Sequence, residues 1–128
     1  MKYFLISNNP LARDTLSAEH ELVFVDGSFL DVLYEARDRC HIGHMLLSHP
    51  LSGSVKPNET LYKTVMISKK TGPTDLDSVL LLEKAIETAK KFGGVRRNWQ
   101  QRELDDFQVV DLTLIQSAIE SCNESYET

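Results

Sequence analysis

The chain has 128 residues, 41% of them apolar and 26% charged, the profile of one folded domain rather than a disordered tail. At this length roughly two-thirds of the extended surface is buried on folding, so no disulfide or metal staple is needed. Lys and Arg number 14 against 19 Asp and Glu, a net charge of −5, which lacks the basic footprint of a duplex nucleic-acid binder.

The apolar run Tyr3-Phe4-Leu5-Ile6 is too short for a signal-peptide core, and Asn8-Asn9-Pro10 breaks it. No apolar block approaches the ~20 residues that span a bilayer. The expectation is a cytoplasmic protein with no membrane segment. Cys40 and Cys122 form no CxxC pair and read as reduced thiols on apolar helix faces.

Tyr3-Phe4-Leu5-Ile6-Ser7 reads as a first strand, buried on both faces. Asn9 then caps a short helix that has Pro10 at its first position. Glu21-Leu22-Val23-Phe24-Val25 is a second strand of buried type, stopped by Asp26-Gly27. Ser28 opens an amphipathic helix in which Phe29, Leu33, Ala36 and Cys40 form the apolar stripe. Ser28 with Asp31 has capping-box spacing, Glu35 with Arg39 is a favourable i,i+4 pair, and Gly43 suits the helix end. Met45-Leu46-Leu47 reads as a third strand, ending at Ser48-His49-Pro50.

A polar, turn-rich loop from Leu51 to Leu61 follows, and Tyr62-Lys63-Thr64-Val65-Met66-Ile67-Ser68 reads as a fourth strand. Asp75 or Asp77 opens the longest helix, with Val79, Leu82, Ile86, Ala89 and Phe92 on one face and Gly93-Gly94 at its end. A short helical turn is expected around Trp99. Gln108-Val109-Val110-Asp111-Leu112 reads as a fifth strand, and Thr113 with Gln116 as the capping box of a last helix burying Ile115, Ile119 and Cys122.

The expected fold is a single α/β domain over residues 1–128: a three-layer, Rossmann-like open sheet of about five strands, mostly parallel. The link between the third and fourth strands is too irregular for a crossover helix, which leaves room for Tyr62 to Ser68 to run antiparallel. In such sheets ligands bind beyond the carboxyl ends of the strands. Three polar strand-end segments therefore converge: Asn8 and Asn9; Asp26, Gly27 and Ser28; and His49 with Ser52, Gly53, Ser54, Lys56 and Asn58. Helix N-termini favour an anion, the Ser-Gly-Ser run suits a backbone nest, and Lys56 supplies charge. The plainer reading of Asn9 and Ser28 is ordinary helix capping. No GxxxxGK[ST] or GxGxxG fingerprint is present.

The spacing of Cys40, His41, His44 and His49 matches no zinc pattern, so no metal site and no cofactor are expected. His49 with Ser52 or Ser54 and Asp26 contains the residue types of a nucleophilic triad but no G-x-S-x-G elbow. The basic stretch Lys90, Lys91, Arg96, Arg97 and Arg102 around Trp99 reads as a solvated helix end, diluted by Asp105-Asp106.

The string His49-Pro50-Leu51-Ser52-Gly53-Ser54-Val55-Lys56-Pro57-Asn58-Glu59-Thr60 resembles the GrdX family, small proteins encoded alongside the glycine reductase system of anaerobic amino-acid-fermenting bacteria. The resemblance extends to Ser7-Asn8-Asn9-Pro10, Asp26-Gly27-Ser28 and Asp75-Leu76-Asp77-Ser78, and fades after about Gly94. It implies a cytoplasmic setting linked to reductive metabolism of glycine, sarcosine or betaine, and carries over no catalytic residues. The selenocysteine or redox CxxC of such systems is not in this sequence.

Three readings follow from these residues. The first is an accessory module that binds a small anionic ligand, or a reductase subunit, at the strand-end site. The second is a small enzyme acting on a phosphorylated or acyl substrate, with His49 as acid/base. The third is a structural or interaction protein that uses the Trp99 region to pair with itself, as a homo-oligomer, or with a partner. Neither nucleic acid nor a membrane is an expected partner.

Overall fold

The computed structural model describes residues 2–50, 61–92 and 99–126. Three strands and four helices follow one another: β1 (Tyr3–Ser7), α1 (Pro10–Leu16), β2 (Leu22–Phe24), α2 (Phe29–Ile42), β3 (Thr64–Ser68), α3 (Leu76–Phe92) and α4 (Gln101–Tyr126). The sheet order is β2-β1-β3. β1 and β2 are parallel, with Ser7 beside Phe24, whereas β3 is antiparallel to β1, with Ser7 beside Thr64.

This mixed three-stranded sheet replaces the five-stranded, mostly parallel Rossmann-like sheet expected from the sequence. Two of the expected strands are not strands. The first, residues 45–47, touches the sheet through a single bridge, Leu46 to Ile67. Its neighbouring backbone bonds to side chains instead: Met45 N–H donates to Ser68 Oγ, and Leu46 N–H donates to Ser78 Oγ. Ser48 Oγ in turn accepts from Met66 N–H of β3. Serines that take over ladder bonds in this way stop a regular strand from extending.

The second, residues 108–112, lies inside α4, which at 26 residues also exceeds the 17 of α3, the helix expected to be longest. Val109 and Val110 suggest a strand by their side chains, yet both are 52% exposed. Leu112, Ile115, Ile119 and Cys122 recur at +3, +4 and +3, and this helical stripe packs on the sheet. The helical period therefore outweighs the β propensity of two valines. Thr113 is not a helix cap: its Oγ1 donates to the Val109 carbonyl one turn back. Trp99 stands two residues before α4 and packs edge-on against Phe107, 4.8 Å between ring centres.

Strand alternation sorts the core onto two faces. Phe4, Ile6, Val65 and Ile67 join Val32 and Leu33 of α2 and Leu82 and Ile86 of α3. Leu5 and Met66 point the other way, to Ala12 and Leu16 of α1 and to Ile115 and Ile119 of α4. Each large aliphatic side chain buried in these layers contributes roughly 1.5–3 kcal/mol. β2, at the sheet edge, is only half-buried.

The helix ends follow the local chemistry of their sequences. Ser28 Oγ accepts from Asp31 N–H, and Asp31 Oδ2 accepts from Ser28 N–H at 2.9 Å, a complete capping box. Asp75 caps α3 by accepting from both the N–H and the Oγ of Ser78. Gly43 ends α2 with φ +118°, and a Cβ there would collide with the Gly72 carbonyl. No helix among the described residues is long and apolar enough to cross a membrane.

Candidate functional site

Because β3 runs against β1, the carboxyl end of β1 and the amino end of β3 meet at one edge of the sheet. The segment through Leu46 is also antiparallel to β3, so it delivers Ser48 and His49 to the same edge. α4 lies against this edge, tied to Thr64 through Asp111. Between them is a cavity of about 360 Å³, lined by Ser48, His49, Lys63 and Thr64 from the sheet side. Asp111, Leu114, Ile115, Ser121 and Cys122 face it from α4.

A buried polar network forms the inner wall. Asp111 is 5% exposed, and its Oδ1 accepts from Thr64 N–H at 3.0 Å. Its Oδ2 accepts from Thr64 Oγ1 at 2.7 Å and from Asn9 Nδ2 at 3.0 Å. Thr64 Oγ1 also lies 2.7 Å from Ser7 Oγ. These three donors tie the Asp111 carboxylate, and α4 with it, to the ends of β1 and β3.

Lys63 stands at the edge of this network with only 4% of its surface exposed. Burial pushes its ammonium pKa down, and the nearby Asp111 carboxylate works in the opposite direction. A lysine so far from water is held by its charged neighbour or gives up its proton more readily than a surface lysine. A perturbed titratable group on the wall of a cavity marks a candidate site on physical grounds.

The expected site residues divide into three groups. Asn8, Asn9 and His49 come to this edge. Asn8 is committed to the backbone: Nδ2 donates to the carbonyls of Gly27 and Leu61, and Oδ1 accepts from Lys63 N–H at 2.8 Å. Asn9 is wholly buried; its Oδ1 accepts from Leu11 N–H, and its Nδ2 also donates to the Gln108 carbonyl. Both asparagines therefore position the wall, and neither amide has an idle end. His49 alone of the three lines the cavity. Asp26, Gly27 and Ser28 follow β2 and do not line it; Ser28 serves the α2 cap. Ser52, Gly53, Ser54, Lys56 and Asn58 lie outside the described residues.

Sequence reading missed Lys63, Thr64 and Asp111. The available signal was a charged residue placed inside an apolar run: Lys63 before Thr64-Val65-Met66-Ile67, and Asp111 between Val110 and Leu112. Such a residue faces water or has a buried partner. Cys40 and Cys122 are both free and buried. Among the described residues, no group of three His, Cys, Asp or Glu is placed to hold a metal ion.

The protein-family model of GrdX-like protein matches residues 4–120. The chain belongs to the GrdX-like protein family. The matched span includes β1 from Phe4, all of β3 and the cavity wall up to Ala118, leaving only Ser121 and Cys122 of that wall outside it. Neither the search of curated proteins nor that of solved structures gives a match.

Proposed function

We propose that this GrdX-like protein is an accessory component of glycine reductase metabolism that binds a small anionic ligand in the cavity between the sheet edge and α4. The observation that carries the reading is Lys63, an almost fully buried cation-forming side chain on the wall of a cavity of about 360 Å³. Desolvation strengthens its attraction for an anion relative to a surface lysine. Ser48, Ser121 and His49 add donors at the same wall. The volume suits a small carboxylate or phosphate.

Thermal denaturation with a panel of phosphate, acetate, glycine, sarcosine and betaine tests this reading. A ligand at one hundred times its Kd adds about 2.7 kcal/mol to the stability of the native state. The wild type gains that increment with at least one anion, and Lys63→Met loses it. A flat response across the panel counts against small-anion binding; retention of a reductase subunit in a pull-down would then favour a docking role at this edge.

His49 on the cavity wall supports a second reading, a small enzyme that acts on a phosphorylated or acyl substrate with His49 as acid/base. Turnover found with any such substrate should vanish in His49→Ala; survival of that activity removes the role.

A further inference from the structure

The same cavity has a chemical capability beyond holding an anion. Lys63 ends in a primary amine, is 4% exposed, and lines the cavity beside Asp111, His49 and Cys122. The other lysines among the described residues, apart from Lys63, are all exposed: Lys2, Lys69, Lys70, Lys84, Lys90 and Lys91. Amines that form imines with carbonyl compounds are kept out of water in pockets of this kind, where enough of the neutral form exists to attack.

We propose that Lys63 forms an imine with a small 2-oxo acid in this cavity. The inference rests on the anion-binding reading, because the carboxylate of the 2-oxo acid is the anion. The ε-nitrogen lone pair makes the N–C bond, and the carbonyl π pair moves to oxygen. The C–O bond then breaks as C=N forms, and both ε-amino protons leave with that oxygen as water. No oxidant or reductant takes part. His49 lines the same cavity and is the candidate to carry the protons, and the Asp111 carboxylate is a nearby charge for the protonated imine. Ser48 and Ser121 supply hydroxyl donors for the carboxylate. Burial lowers the Lys63 pKa and the Asp111 carboxylate works against it.

The test is incubation of the whole protein with pyruvate and sodium cyanoborohydride, which reduces an imine to a stable amine, followed by peptide mapping by mass spectrometry. At pH 7 the expected result is an adduct concentrated at Lys63, with occupancy above that of every exposed lysine, the direction in which burial moves its pKa. Lys63→Arg, checked for folding by circular dichroism, should lose that adduct while keeping background labelling elsewhere. If the variant does not fold, the pH profile of the wild type decides: labelling at Lys63 should level off at a lower pH than at the exposed lysines, and a shared profile overturns the proposal. A thermal shift with pyruvate but no enrichment at Lys63 overturns imine formation and leaves anion binding standing. Neither shift nor adduct overturns both.

Discussion

Replacing Asp111 tests the account of the site most severely. Its carboxylate accepts from Thr64 N–H, Thr64 Oγ1 and Asn9 Nδ2 and is the charged neighbour of buried Lys63. In Asp111→Ala, Thr64 Oγ1 can still bond to Ser7 Oγ, but Thr64 N–H loses its acceptor, Asn9 Nδ2 keeps only the Gln108 carbonyl, and Lys63 loses a neighbouring negative charge. Removing one partner of a buried charge pair costs about 3–5 kcal/mol, and the hydrogen bonds are not added to that figure because the group acts as one network. An unfolding entropy of about 2.1 cal/mol/K per residue gives about 0.27 kcal/mol/K for a chain of 128 residues. The expected fall in Tm is therefore about 10–20 °C.

Asp111→Asn keeps the shape but sets one amide against the Asn9 amide, so a loss of about 1–3 kcal/mol is expected. Urea denaturation of Asp111→Asn, Lys63→Met and the double variant gives the coupling energy. Lys63→Met on the Asp111→Asn background should recover at least about 1 kcal/mol, because it removes a buried charge that has lost the neighbouring carboxylate. The reasoning is refuted if Asp111→Ala costs under about 1 kcal/mol, or if the two substitutions are additive.

Three other outcomes follow. Burial, and secondarily Asp75, raises the Cys40 thiol from 9.0 to about 11. The unfolded chain therefore loses its thiol proton first, and the contribution is full below pH 9 and lost as pH rises through 11. Cys40→Ala should flatten the alkaline limb of stability against pH, measured by urea midpoints; an unchanged limb contradicts the assignment. Gly43→Ala forces a Cβ onto a left-handed residue and against the Gly72 carbonyl, and should lose about 1–3 kcal/mol in thermal unfolding. Val109→Lys, on the solvent side of α4, should change stability by less than about 0.5 kcal/mol and leave the helical circular dichroism intact. A large loss would instead fit a buried strand at this position.

Much of the local architecture was legible in the sequence because local chemistry dictates it. The Ser28-Asp31 capping box, the Asn9 cap before Pro10, the Glu35-Arg39 pair and the Gly43 helix end all form between residues a few positions apart. β1 and β3 were legible as β-prone apolar runs. Residues 45–47 and 108–112 were misread because short apolar runs look alike in strands, bridges and helices. Only the register of α4 on the sheet shows that Val109 and Val110 face solvent while Asp111 points inward.

The candidate site divides along the same line. His49 lines the cavity, but the strand-end argument that singled it out assumed a strand at residues 45–47 that the fold does not contain. Lys63 and Asp111 are 48 positions apart, and their meeting depends on β3 running against β1 and on α4 crossing the edge where they end. Composition and periodicity determined an α/β chain with capped helices, apolar strands and few sulfurs. The tertiary structure alone decided that the sheet has three strands, that the asparagines at the end of β1 support the wall, and that a buried lysine and a buried aspartate share a cavity. The reason is physical: capping and periodicity act over one or two turns, whereas buried charge must find its partner across the whole fold.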